Sequence, residues 1–367
     1  MDKLISPKNS IDTFISDITM LTQTFIWIFV VSLLSSHFAY SAQPSEMSKF
    51  KLTDHFNIGG EGRWDLLTFD AKRHRLFVSR STHVQVIDAT SGKVIGDITG
   101  TEGVHGIALA DDLNFGFISN GKSNSVTVFD LTTLNVIETI KISGLNPDAI
   151  LYEPKSKQIF TFNGHSTNAT IIDAISLKEI NTIGLSGKPE FAVTDNIGNI
   201  FVNIEDKNEI AVIDVGSNKL LKTFTMGSCV EPSGLAIDQK HHRLFSVCAN
   251  RKMEVLDSET GRIVTEVDIG SAPDSAAFDS NLGIAFSPNG DGTLTLIKES
   301  DPEHYLVLQN VLTQKGARTM AYDSDNHRAY LVTATFGETP PATKEQPKPR
   351  PVIMPNSFVV LVVSLNP

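Results

Sequence analysis

Seven side chains of chemically useful type recur at a near-constant interval. They are Asp65, His105, Asp148, Glu190, Ser233, Asp274 and Arg318, with spacings of 40, 43, 42, 43, 41 and 44 residues. Four are acidic, one is an imidazole, and Arg318 brings a single opposing charge. Carboxylates with imidazole suit zinc or another divalent ion, and carboxylates with amide oxygens suit calcium. His105, Asp148, Glu190 and Asp274 are therefore candidate metal ligands, and all seven form the candidate ligand-binding set. Four acidic groups around one opening also raise the local cation concentration without direct ligation. A hydrated acidic funnel, with every group satisfied by water, accounts for the same residues.

The interval comes from a repeated structural unit. Five segments end alike: His83–Ile98, Ser125–Ile140, Ala169–Ile183, Glu209–Phe224 and Met253–Val267. Each is an alternating run, then an aspartate, then a short polar turn and a second run. Alternation marks half-buried strands, and the Asp/Ser/Thr/Gly/Asn clusters mark tight hairpins. The openings also match, as in Asn146–Asn163, Lys188–Ile204, Glu231–Cys248 and Ala272–Pro288. Each unit then holds four short antiparallel strands, a to d, and seven such units are blades of an all-β, seven-bladed propeller.

The chain ends predict how the ring closes. The seventh unit supplies strand a (Arg318–Asp323), strand b (Arg328–Thr335) and strand c (Ser357–Val363), and then the chain stops. A spare strand, Phe50–Ile58, stands at the other end. Pairing it into the seventh blade removes an open edge. In such a ring the a strands line the channel. The d-to-a and b-to-c loops share one face. The seven recurring residues then ring the mouth, with His83, Asn120, Asn163, His165, Glu205 and Asn250 expected nearby.

These segments resemble the YVTN-type propeller repeat family. The strand-b motif appears here as Phe77-Val78-Ser79-Arg80, Phe117-Ile118-Ser119-Asn120 and Phe201-Val202-Asn203. The strand-c pattern is closer, at Val84–Asp88 and Ile210–Asp214. The resemblance covers about residues 50–367. It implies the propeller fold and a periplasmic or surface-layer setting; it does not select a function, because members include periplasmic proteins, surface-layer components, a DNA-binding member, a metallochaperone-like branch and subunits or relatives of redox enzymes and lactonases. A WD40 reading fits less well, since the sole Trp-Asp pair, Trp64-Asp65, begins a strand a.

The remaining motifs read as structure. The aspartates after strand c (Asp88, Asp130, Asp173, Asp214, Asp257) and those at the a-to-b turn (Asp70, Asp238, Asp279, Asp323) are expected to accept backbone N–H bonds. Asn289-Gly290-Asp291-Gly292 is read as a hairpin turn rather than a calcium loop. His241-His242 is read as an exposed turn on the opposite face. Cys229 and Cys248 bracket strands a and b of blade five, which predicts a disulfide; a metal-binding thiol pair beside Glu231 is the alternative. The Pro-rich stretch 339–351 interrupts blade seven, with Lys344, Lys348 and Arg350 as a candidate partner-binding cluster.

Charge and targeting narrow the function classes. The formal net charge is −11, which disfavours nucleic acid as a partner. The apolar run Thr24–Leu34 followed by Ser35–Ala42 reads as a secretory signal, with cleavage expected after Ser41. Residues 1–42 are assigned as the targeting segment and 43–367 as a single propeller, periplasmic or secreted, monomeric, without a membrane span after processing. A start at Met20 or a retained anchor is the alternative. No Gly-x-Ser-x-Gly, phosphate-loop, His-Glu-x-x-His or Cys-x-x-Cys motif occurs. The leading expectation is a binding or scaffold protein docking a protein, small ligand or metal ion, with zinc or calcium as the candidate cofactor. A metal-dependent, lactonase-like hydrolase is the second, and nucleic-acid binding the third.

Overall fold

A computed structural model describes residues 49–344 and 346–366. The expected signal segment, 1–42, lies outside the described residues. Among the described residues, twenty-eight strands assemble into seven four-stranded antiparallel sheets. Six sheets take their strands in sequence order. The seventh combines Met320–Asp323, Arg328–Thr333 and Val359–Leu365 with the first strand, Phe50–Asn57. That strand pairs antiparallel from Phe50↔Leu365 to Asn57↔Val359, so the propeller closes as the sequence predicts. No helix among the described residues is long and apolar enough to cross a membrane.

Burial follows from blade stacking. Strands b and c are covered on both faces; Arg75–Arg80 and Arg243–Cys248 are buried at every position. Strand d, at the rim, is mostly exposed, as in Val136–Lys141. The apolar side chains gather in seven clusters, one between each pair of neighbouring blades. The cluster between blades three and four, for example, joins Phe160, Phe162 and Ile171 to Ile200, Val202 and Ile213. Each blade thus buries its two faces against two neighbours, and the ring must be complete for every face to be covered.

The turn aspartates behave as expected. Asp130 accepts the N–H groups of Thr132 and Thr133, and Asp257 those of Glu259 and Thr260. These hydrogen bonds hold both carboxyls below the usual carboxylate range: backbone bonding leads at Asp130, and at Asp257 bonding to Thr260 outweighs partial burial. Asp291 caps its own hairpin through Thr293 N–H and takes Ser271 N–H from across the loop. Cys229 and Cys248 form a disulfide with Cα atoms 5.4 Å apart.

The asparagines at the ends of strands b do not face the channel mouth. Asn120 and Asn163 are fully buried. Each donates its amide to a threonine of strand c, Thr127 at 2.9 Å and Thr170 at 2.9 Å. Asn203 clasps the next blade through the carbonyl of Ser233 at 2.9 Å. The carboxamide has both donors and an acceptor, so it satisfies strand ends that converge near the axis. In blade one the position of Asn120 and Asn163 holds Arg80, which reaches the carbonyls of Glu61 (2.7 Å) and Gly59 (3.3 Å) and Gln85 Oε1 (2.6 Å). Its guanidinium lies 3.8 Å from the ring centroid of Phe358 in blade seven.

Candidate functional site

The local backbone explains why the recurring residues point inward. Strand a of blade two runs Val104–Ala110, and its pairing breaks between Val104↔Asn120 and Ile107↔Ile118. Two residues, His105 and Gly106, therefore oppose one. The same break occurs between Pro147 and Ile150, between Pro189 and Ala192, and between Pro232 and Leu235. A bulge re-aims the side chain at its centre, and those centres hold His105, Asp148, Glu190 and Ser233. Hydroxyl-to-carbonyl bonds from blade to blade fix the a strands around the channel: Thr68 to Ile107 (2.8 Å), Ser233 to Pro273 (3.1 Å), Thr319 to Asp65 (2.9 Å).

Six of the seven residues meet at the mouth in three groups. His105 Nδ1 lies 2.5 Å from Asp65 Oδ2 and 3.6 Å from Asp148 Oδ1. Across the channel Arg318 Nη2 pairs with Asp274 Oδ2 at 3.0 Å. Glu190 joins through Lys188, whose Nζ sits 2.5 Å from Glu190 Oε1 and also contacts Glu205. Ser233 does not take part as a ligand: it is 9% exposed and its hydroxyl is committed to Pro273. Lys188 and the role of Glu205 as its second partner were not read from the sequence; a lysine two residues before Glu190 was the available signal.

Five carboxylates (Asp65, Asp148, Glu190, Glu205, Asp274) share the mouth with three cationic groups. The titrations reflect that imbalance. Burial opposes charging of His105, yet the hydrogen bond to Asp65 and the charges of Asp148, Asp65 and Glu190 outweigh it and hold the imidazole up at about 9. Burial pushes Asp148 and Glu190 above the carboxylate range, with Asp65 adding to the first and Asp148 to the second. Asp274 is pushed up to about 6 by burial, against the pull of Arg318. The Asp65, His105 and Asp148 donor atoms lie within 4.8 Å of one another, close enough for one divalent ion.

Beside this acidic mouth lies a cavity of opposite character. About 720 Å³ in volume, it is lined by Arg63, Trp64, Lys315, Arg318, Phe336 and Arg350 among others. The Pro-rich stretch forms its wall. Gly337 N–H bonds to Val352 O at 2.8 Å, Phe336 pairs with Ile353, and Arg63 Nη2 reaches Pro351 O at 3.3 Å. Of the three basic residues singled out in that stretch, Arg350 lines the cavity; Lys344 and Lys348 are solvent-exposed and do not. Partial burial, and then the charge of Arg350, pull the Arg63 pKa down. Among the described residues, only Arg318 of the four basic groups is in an ion pair.

No protein-family model matches the chain, and no curated protein does. Solved structures do match. A chain of hydrazine synthase from Kuenenia stuttgartiensis aligns with a TM-score of 0.62 at 17% identity, covering 72% of this chain and 91% of that one. U3-55K aligns with a TM-score of 0.70 at 10% identity, over 85% and 99%. A chain of a mitotic checkpoint complex aligns with a TM-score of 0.70 at 13% identity, over 94% and 99%. At these identities the likeness is one of fold alone, the seven-bladed propeller.

Proposed function

We propose that this protein is an extracytoplasmic binding propeller whose ligand docks on the loop face, with an anionic, partly apolar end in the basic cavity and any cationic end over the acidic mouth. One observation carries the reading. In a chain of charge −11, four basic side chains and two aromatic rings converge on one cavity. Guanidinium groups recognise carboxylates with directed hydrogen bonds, and Trp64 and Phe336 offer apolar faces beside them. The apolar run Thr24–Leu34 and the Cys229–Cys248 disulfide support export. The test is a thermal-shift screen of small carboxylates and acidic peptides. Ligands that raise the melting temperature should lose at least about tenfold in affinity with Arg63→Glu or Arg350→Glu, since each charged contact contributes about 1.5–3 kcal/mol. Binding indifferent to both reversals sinks the reading.

A second reading keeps the metal-dependent hydrolase. Its support is the Asp65–His105–Asp148 cluster at the mouth. A divalent ion there would act as a Lewis acid on a lactone carbonyl, while Glu190, held high by burial, would take a proton from the attacking water and return it to the leaving alkoxide oxygen. Metal content and lactone hydrolysis lost together in His105→Ala would establish it.

A further inference from the structure

The face opposite the mouth carries a second cluster, built from two blades. Asp238 ends strand a of blade five, Pro232–Asp238, and His241 stands in the turn that follows. Glu299 comes from blade six, on the strand Thr293–Asp301. That strand and its partner, His304–Leu312, have nine residues each, against six or seven in most other c and d strands. The extra length carries their hairpin over the turn of blade five, where Arg243 reaches Pro302 O at 2.9 Å and Glu303 at 2.8 Å. His241 Nδ1 then lies 2.7 Å from Asp238 Oδ2 and 2.9 Å from Glu299 Oε1.

Comparison with the other blades sets this turn apart. Asp70 is neutralised by Arg75 at 2.8 Å and Arg73 at 3.3 Å. Asp279 receives Tyr322 Oη at 2.6 Å and faces His327 at 2.7 Å. Asp323 takes the amide of Asn326 at 2.8 Å. Asp238 is 2% exposed and its Oδ1 accepts the N–H of Lys240, yet its Oδ2, aimed at His241, has no hydrogen-bond donor among the described residues. Blade six then adds a second buried carboxylate, Glu299, 6% exposed. Arg243 is committed to Asp257 and Glu303. The Tyr305 hydroxyl is shared between Pro302 O (3.1 Å) and Glu299 (3.4 Å). One imidazole N–H supplies a single proton to two carboxylate oxygens, so one oxygen stays unpaired, an arrangement that costs free energy when buried.

We propose that Asp238, His241 and Glu299 form a divalent metal site, taking a zinc-like transition-metal cation that fastens the long hairpin of blade six to the turn of blade five. The three donor atoms lie within 4.8 Å of one another. Two carboxylate oxygens with one imidazole nitrogen match the ligand set of such ions. A cation bound by Nδ1 replaces its single proton and satisfies both oxygens at once. His241 keeps 32% of its side chain exposed, which leaves water access to complete the coordination shell. Burial, and then the Asp238 charge, raise the Glu299 pKa, in keeping with a pair of carboxylates short of positive charge. The site is independent of the ligand cavity and of the mouth cluster.

The test is zinc binding by the full-length protein, stripped with chelator and titrated with zinc sulfate by calorimetry. The mouth is silenced with His105→Ala and Asp148→Asn so that the remaining ion is counted alone. One zinc per chain should bind in that background, raise the melting temperature, and weaken about 10–100-fold or more with Glu299→Gln or His241→Ala, since even outer partners of a ligand contribute that much. Cobalt(II) in place of zinc gives a visible absorption band that should disappear with His241→Ala. Should Glu299→Gln fail to fold, His241→Ala, at a half-buried turn position, carries the test. No zinc bound in the silenced background, or zinc bound equally by the folded His241→Ala protein, overturns the proposal.

Discussion

Replacing Arg80 with methionine should lower the stability of the protein by about 4 kcal/mol. Arg80 is wholly buried, and burial pushes its pKa down to about 10. At about 1.4 kcal/mol per pH unit, keeping that charge inside costs about 3 kcal/mol. Against this stand the contacts to Glu61 O, Gly59 O and Gln85 Oε1, at about 1.5–3 kcal/mol each for a charged donor. Stacking on Phe358 at 3.8 Å adds about 2 kcal/mol in a dry setting. The buried Nε of Arg80 has no hydrogen-bond partner among the described residues, which costs about 2 kcal/mol, so the balance is a net stabilisation of about 4 kcal/mol, or about 8 °C in melting temperature if each kcal/mol shifts it by about 2 °C. Arg80→Lys should recover little, because an ammonium cannot both stack flat and fork to separated acceptors. The assay is urea or thermal unfolding of the three proteins, with protease cleavage near Phe50–Asn57 as a local reporter. If the methionine variant lies within 1 kcal/mol of the parent, or lysine matches arginine, the reasoning is wrong.

Other expectations follow from the same geometry. Removing the disulfide with Cys229→Ser and Cys248→Ser frees a 19-residue separation and should cost about 3 kcal/mol, seen as a lower melting temperature that reductant no longer changes. The imidazole of His105 has its folded pKa raised to about 9, so its stabilisation is complete below about pH 6.5 and fades as pH rises through 9; His105→Gln should flatten the melting temperature over that window. Asp274, raised to about 6 by burial, opposes folding once ionised, so Asp274→Asn should stabilise the protein by about 2–3 kcal/mol at pH 8 and by nothing at pH 3. Gly92 stands at φ +70 with Phe56 carbon atoms 2.3 Å from where a Cβ would sit; Gly92→Ala should destabilise the closing strand, read as faster proteolysis at its start.

The ring and its closure were legible because both are written locally, many times over. A turn aspartate works through N–H groups two and three residues away, as Asp130 does through Thr132 and Thr133, and the repeat of that pattern sets the blade period. The inward aim of His105, Asp148 and Glu190 follows from that period and the bulge it places in strand a. What stayed hidden depends on partners remote in sequence. Arg63 meets Pro351 across 288 positions, so the basic cavity has no linear signature. His241 meets Glu299 across 58, and alone it looks like one half of an exposed pair. Asn163 looked like a mouth residue because its loop is at the mouth, yet its amide turns back to Thr170.

The closing strand also fixes how the molecule answers to force. Its first residue, Phe50, pairs with Leu365, and Asn366 N–H bonds to Lys49 O at 3.0 Å, so both chain ends leave the blade at the same corner. A pull applied between them loads the pairs one after another, like opening a zip, rather than loading them all together in shear. The propeller is therefore guarded against thermal opening by its full ring of interblade contacts, but yields to a modest tension between its termini. Tethering both ends to separate supports would release Phe50–Asn57 first and expose the edge of Val359–Leu365, while tethering a single end would leave the ring untouched.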